Sequence, residues 1–182
     1  MRARLLPAVA LLATAAAAMP SPAAGQLLSR DEALRLAYPG ATLTAERLFL
    51  TPDQQKAAAS SAGVAVPSAL VGRYRAVRDG VAQGRAYIDT HTVRTKAETL
   101  LISLDASGRV KRIDVTAFLE PEEYLAPDAF LQQYPGRGLG PDLQLQRAIR
   151  PVAGATLTVR AVNDAVRRVL AIDAVVGAGG GR

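Results

Sequence analysis

The chain has 182 residues, of which 49% are hydrophobic, and a formal net charge of +6. Its mean hydropathy is +0.13, and a chain of this length favours one domain with a core over two domains. The sequence contains no cysteine, which excludes disulfides, a lipid-bearing cysteine and thiolate metal sites. Aromatic residues are scarce and the basic residues are scattered, so we expect a solvated basic surface and no nucleic-acid partner.

The first 25 residues have the three-part layout of a secretory signal peptide. Two arginines precede an apolar run from Leu5 to Ala18, and small residues and prolines follow it. A membrane anchor is the alternative, but the run is shorter than the roughly 20 residues that span a bilayer. We therefore expect cleavage between Ala18 and Gln26 and a periplasmic or secreted protein. Removing Arg2 and Arg4 makes the net charge +6 − 2 = +4.

Two short helices and an extended segment are predicted before the sheet. The stretch SRDEALRLAYPG begins with Ser29 and has a glutamate three residues later, the spacing of a capping box, before a Pro-Gly stop. TLTAERLFL then alternates in the manner of an extended segment. In TPDQQKAAASSAG, Thr51 is the expected cap and Gly63 the expected end of a second helix.

From Leu70 onward the hydrophobic period changes to that of strands. Four segments alternate apolar and polar residues between Asp-Gly and Ser-Gly turns: ALVGRYRAVRDG, GRAYIDTHTV, ETLLISLDASG and RVKRIDVTAFL. They predict about four antiparallel strands, with a hairpin at Asp105–Gly108. After a short helical or irregular stretch, a last helix is predicted from about Val159 to Asp173.

The order of elements predicts an α+β fold, in which an antiparallel meander sheet of about four strands packs with N-terminal and C-terminal helices. We expect a signal peptide at 1–25, one domain at 26–176, and a flexible Gly-rich tail at 177–182.

The pentapeptide GATLT occurs twice, in YPGATLTAERLFL and in RPVAGATLTVRAVNDAVRR. It is not an internal repeat, because the flanks do not align. The first copy leads into a strand, whereas the second lies in a turn that opens the last helix. There Thr156 or Thr158 falls at or near the N-cap, where free N–H groups and the helix dipole favour a phosphate. A threonine that only caps the helix is the alternative.

AGATLT followed by a helix resembles the flavinylation motif of FMN-binding domain proteins. The family includes the FMN-carrying subunits of sodium-translocating NADH:quinone oxidoreductases and Rnf-type complexes, and the FMN-binding part of nitrous oxide reduction regulators. Its motif reads Ser or Thr, Gly, Ala, Thr or Ser, any residue, Thr, and the last threonine carries FMN through a phosphoester. The resemblance implies FMN on Thr158, with Gly154, Ala155, Thr156 and Leu157 at the preceding positions.

The resemblance extends over roughly Val81–Leu170. QGRAYIDT, LLISLDASGRVKRIDVTAFLEPEEY and FLQQYPGR are similar to the family's small-residue strand, its hairpin ending in an acidic residue, and its aromatic segment. Glu120 and Tyr124 resemble positions near the flavin, although a charged residue that ends a strand is often simply solvated. The chain departs from the family at Ala153, where the motif has Ser or Thr, and lacks the aspartate common upstream.

The residue types of the motif also suit this chemistry. An acceptor hydroxyl must enter another enzyme's active site, so its neighbours must be small, as Gly154 and Ala155 are. Thr156 would bond the phosphate or cap the helix. The histidine in DTHTV, His91, has no partner His or Cys at ligand spacing, so no metal site is predicted.

The resemblance implies an exported electron carrier with covalent FMN, which is not an enzyme but is itself the substrate of a flavin transferase. The expected partners are a periplasmic transferase that uses FAD and Mg²⁺, and a membrane electron-transfer complex or cytochrome. The alternative is a cofactor-free exported binding or structural module of the same fold. A secreted hydrolase is disfavoured, because no set of nucleophile, histidine and acid is recognisable.

Overall fold

The computed structural model of the protein describes residues 27–179, so the predicted signal peptide and the last three residues lie outside the described part. The predicted caps of both N-terminal helices are confirmed, because Ser29 and Thr51 each form a capping box. The elements follow in the order α1 (Arg30–Ala37), β1 (Thr42–Phe49), α2 (Pro52–Ala62), β2 (Leu70–Arg78), β3 (Val81–Thr92), β4 (Ala97–Asp105), β5 (Val110–Phe118), a 3-10 turn (Glu122–Tyr124), α3 (Asp128–Leu131) and α4 (Thr156–Gly179).

The five strands form one antiparallel meander sheet in the order β1-β2-β3-β4-β5. The predicted α+β class is thus confirmed, with five strands where about four were predicted. The fifth strand is the extended segment that begins within the first GATLT, at Thr42. It pairs with β2 from Thr42 opposite Val77 to Phe49 opposite Leu70. This pairing joins segments on either side of a helix, which local periodicity cannot detect.

Helices cover both faces of the sheet. On one face, α1 packs through Ala33, Leu34 and Ala37, and the Tyr38 hydroxyl that follows it donates to the carbonyl of Leu104 at 2.7 Å. Gly84 makes this contact possible, because a Cβ there would lie 2.0 Å from the same carbonyl oxygen. The main core lies on the other face under α2 and α4.

The last helix is longer than predicted. It begins at Thr156, three residues before the predicted start, and it continues through Gly179. It therefore includes residues 177–179, which we expected in the flexible tail. One face of α4 is buried, with Val162, Val166, Val169 and Leu170. Arg167 is buried as well, and its guanidinium donates to the carbonyls of Ala62 and Leu143 at 2.7 and 2.8 Å. These contacts close α2 and a neighbouring loop against α4.

Among the helices of residues 27–179, none combines the length and the apolar character that crossing a bilayer requires.

Candidate functional site: a cleft at the start of the last helix

The second GATLT forms a turn and the first helical residues of α4. Gly154 has a φ of +89°, in the left-handed region that favours glycine. The first helical hydrogen bond joins the Val159 N–H to the Ala155 carbonyl at 2.9 Å. The N–H groups of residues 156–158 therefore precede the helical ladder, at the positive end of the helix dipole. An anion placed beside this turn would be stabilised.

A cleft of about 260 Å³ adjoins this turn. The motif residues from Gly154 to Thr158 line one side, and Arg94 and Tyr124 line the other. The Arg94 guanidinium carbon lies 4.3 Å from the centre of the Tyr124 ring, within the range of a cation–π contact. The cleft thus combines a cation, an aromatic surface and a helix N-terminus, which suits a ligand that has both an anionic group and a ring system.

Glu120 contacts the turn between β3 and β4, which carries Arg94 at this cleft. One of its carboxylate oxygens accepts the backbone N–H groups of Thr95, Lys96 and Arg94 at 2.7, 2.8 and 3.2 Å. These hydrogen bonds hold the pKa of Glu120 below its usual value. Glu120 is not among the residues that line the cleft, so it positions the turn that carries Arg94.

The two threonines of the motif have different environments. Thr158 is only 1% exposed, and its hydroxyl donates to the carbonyl oxygen of Tyr124 at 2.5 Å. Thr156 is exposed at the rim, beside Leu157, which is 45% exposed. The acceptor that the resemblance implies therefore lies on the floor of the cleft, beneath the 3-10 turn.

Both threonines lie near the N-cap of α4, but neither is the N-cap residue itself. Ala155 directly precedes the first helical residue, so Thr156 and Thr158 lie inside the first turn of α4. The Thr158 hydroxyl is occupied as a donor to another segment. Capping by a threonine was the alternative to phosphate binding, and neither threonine is the residue before α4, because the helix begins at Thr156.

Sequence reasoning did not find Arg94 as a member of the site. Arg94 lies about 60 residues before the motif in the chain, and only the sheet brings its turn to the start of α4. His91 lies near the end of β3, shortly before Arg94. Among residues 27–179, no group of three or more side chains is arranged to hold a metal ion. His91 instead contacts two carboxylates, Asp89 and Glu98.

The fold and the cleft define an α+β protein with a five-stranded antiparallel sheet and a ligand-sized site at a helix N-terminus. The chain matches no protein-family model, and no characterised protein or solved structure is significantly similar to it. The motif and the geometry around it are therefore the features from which a function can be inferred.

Proposed function

We propose that the protein is an exported electron carrier that holds FMN covalently through a phosphoester on Thr158. The observation that carries the proposal is the placement of AGATLT. The motif starts a long helix and faces a cleft that also contains a cation and an aromatic ring. The other copy of GATLT lies at the edge strand β1 and adjoins no helix N-terminus.

The cleft offers two independent sources of phosphate binding. The N–H groups of residues 156–158 lie at the positive end of α4, and the Arg94 guanidinium adds a full charge from the opposite side. Tyr124 presents a ring for contact with a flat cofactor. A flavin mononucleotide has both features, a phosphate at one end and an aromatic ring system at the other.

The covalent step would take place in the active site of a flavin transferase that uses FAD and Mg²⁺. The Thr158 oxygen attacks the phosphorus of the FMN half of FAD, the pyrophosphate P–O bond breaks, and AMP leaves. The hydroxyl proton passes to a base of the transferase. In this structure the hydroxyl first has to leave the Tyr124 carbonyl, either because the 3-10 turn moves or because the threonine changes rotamer.

Covalent attachment suits a protein that is exported away from the cytoplasmic flavin pool. The bound flavin cannot be lost by dissociation, and it supplies the electron transfer while the protein tunes it by packing and hydrogen bonds. Electrons would pass between the flavin and a membrane electron-transfer complex or a cytochrome. The protein itself would then transform no substrate.

A cofactor-free exported binding or structural module remains a second candidate, and one observation favours it. The Thr158 hydroxyl is buried and already bonded to Tyr124, as a threonine with a purely structural role would be. In that case the motif stabilises the start of α4 against the 3-10 turn and accepts no phosphate.

Co-expression with a periplasmic flavin transferase and Mg²⁺ separates the two candidates. The carrier should become yellow, fluoresce on a denaturing gel, and show a peptide mass that places FMN on Thr158. Thr158→Ala should abolish the label, Thr158→Ser should retain some of it, and the matched control Thr44→Ala should label as the wild type does. Thr156→Ala should only slow labelling, since a hydrogen bond to a charged partner contributes about 1.5–3 kcal/mol.

A colourless wild-type protein of unmodified mass would support the cofactor-free module. Flavin on Thr156 would keep the carrier function but move the acceptor to the exposed threonine at the rim. Labelling that disappears in folded Thr44→Ala and persists in Thr158→Ala would show that the wrong copy of the motif was chosen.

A further inference from the structure

Four ionisable side chains are buried together between β3, β4 and α4. Asp89 and His91 lie two residues apart on β3 and therefore on the same face. Glu98 on β4 is paired with His91 in the sheet register, and Arg168 comes from α4. The side chains of Asp89, His91, Glu98 and Arg168 are 9, 11, 0 and 12% exposed, respectively.

Both ring nitrogens of His91 face carboxylate oxygens. Nδ1 lies 2.9 Å from Asp89 Oδ1, and Nε2 lies 2.9 Å from Glu98 Oε2. An ionised carboxylate only accepts hydrogen bonds, so each ring nitrogen must carry a hydrogen for both contacts to be favourable. With both carboxylates ionised, the geometry therefore requires the imidazolium form of His91.

With both carboxylates ionised, the charges of the cluster balance only when His91 carries this proton. Asp89 and Glu98 together contribute two negative charges, and Arg168 neutralises one of them through a bidentate contact with Asp89 at 2.8 and 2.9 Å. Without the proton, one negative charge would remain in the interior, and a ring nitrogen and a carboxylate would face each other with lone pairs. An unpaired buried charge is strongly unfavourable.

Glu98 depends more strongly on its contact with His91, because Asp89 also has a contact with Arg168. Its Oε2 contacts the imidazole, while its Oε1 is buried and has no hydrogen-bond partner among the described residues. The His91 N–H is thus the contact through which the protein compensates this fully buried carboxylate. Losing that hydrogen leaves Glu98 with a desolvated charge.

Further charged groups that interact with the cluster lie on α4. Asp164 is half-buried, and burial raises its pKa, while Arg168, Arg160 and Arg167 act in the opposite direction. Asp164 also interacts with the charge of His91. It therefore adds a further carboxylate that favours the protonated imidazole whenever it is ionised.

We propose that His91, Asp89 and Glu98 form a buried proton-binding site, in which one proton joins the end of β3 to the start of β4 and so fixes the turn that carries Arg94. His91 is the penultimate residue of β3, directly before this turn, and Glu98 is the second residue of β4, directly after it. Release of the proton repels Glu98 from His91 directly below the turn. The position of Arg94 in the cleft then depends on the protonation of the cluster.

The electrostatics of the cluster agree with this assignment. Burial by itself lowers the pKa of His91, but the hydrogen bonds to Asp89 and Glu98 outweigh burial and raise it to about 9. For Asp89, burial raises the pKa, and the contacts with His91 and Arg168 overcome it and bring it to about 2. The site therefore keeps its proton at neutral pH and releases it in the alkaline range.

NMR of the full chain tests the proposal directly, because His91 is the only histidine in the sequence. Its ring signals should show both nitrogens protonated at pH 7 and a titration midpoint well above that of a free histidine. Glu98→Gln removes one negative acceptor and should lower the midpoint by at least about one pH unit. Glu123→Gln, at an exposed carboxylate, is the control and should leave the midpoint unchanged.

Hydrogen exchange tests the link to the turn. The amides of residues 93–97 should lose protection over the same pH interval in which His91 titrates. A neutral imidazole at pH 7, or an unchanged midpoint in Glu98→Gln, would overturn the proton-binding site. Protection of the turn that does not change through the titration would overturn the coupling to Arg94. If Glu98→Gln does not fold, the wild-type titration alone decides the first point.

Discussion

The two copies of GATLT show how far an identical pentapeptide determines its structure. In both, the glycine adopts a left-handed conformation, with φ of +71° at Gly40 and +89° at Gly154. In both, the third residue begins the next regular element. That element is strand β1 at Thr42 and helix α4 at Thr156. The pentapeptide thus determines the turn and the point of entry, but not the type of element.

The residues that follow each copy, and the segments that they pack against, determine whether the element is a strand or a helix. After Thr44 the chain alternates and pairs along β2, so this threonine is exposed on an edge strand. After Thr158 the apolar residues follow a helical period that packs on the sheet, which buries this threonine against Tyr124. The same hydroxyl is therefore solvated in one copy, and buried and hydrogen-bonded in the other.

Alkaline pH should produce the largest difference between the region of α4, beside which His91 packs, and the region of β1. His91, packed beside α4, has a pKa of about 9 in the folded protein against 6.5 for the free side chain. Its contribution is fully present below about pH 6.5 and is lost as pH rises through 9. The free energy of unfolding should then fall by roughly 3 kcal/mol, the lower end of what breaking a buried ion pair costs. Urea titrations at a series of pH values measure this.

The β1 region provides the internal comparison for this experiment. Glu46 on β1 pairs with Arg73 and Arg75, and arginine stays charged throughout the interval. A His91→Gln variant that folds should lose the alkaline decrease. An identical decrease in that variant would assign the effect to other groups.

The next largest difference should come from replacing the last threonine of each copy of GATLT by valine, which should lower the free energy of unfolding by different amounts. Thr158→Val keeps the shape but leaves the Tyr124 carbonyl without its donor, which typically costs about 1–3 kcal/mol when the group is buried. Thr44→Val changes an exposed strand position, so a shift within about 0.5 kcal/mol is expected. Chemical denaturation of both variants gives the two values. Equal losses would mean that the Thr158 contact contributes nothing.

The glycines should give the smallest difference, because here the two copies agree. Alanine at Gly40 or Gly154 must adopt a left-handed conformation, which costs roughly 1–2 kcal/mol per residue. No atom lies close enough at either position to clash with the new methyl group, so both losses should be similar. Calorimetry of the two variants measures them. A loss at one site only would show that the shared turn is not required in both contexts.

Local sequence signals predicted much of the fold. The capping residues Ser29 and Thr51 predicted two helix starts, and the hairpin at Asp105–Gly108 was readable from four residues. Local signals did not predict that the segment after Gly40 is a fifth strand of the sheet, because its partner β2 lies beyond a helix. The start of α4 was misplaced by three residues, since Thr156 to Thr158 carry few of the apolar signals that define its later turns.

The candidate site also has one part that local sequence predicted and another that it did not. The motif and its position at the start of a helix are properties of adjacent residues, so the sequence alone predicted that the last helix opens within Gly154 to Thr158. Arg94, Tyr124 and the cluster around His91 come from segments tens of residues apart, and only the packing of the sheet against α4 brings them together. Tertiary structure also decided that Thr158 is buried and Thr156 exposed, because burial depends on what covers a residue. Local propensity determines turns and caps through neighbouring dihedrals, whereas a site assembled across strands depends on contacts that form only when the whole sheet has folded.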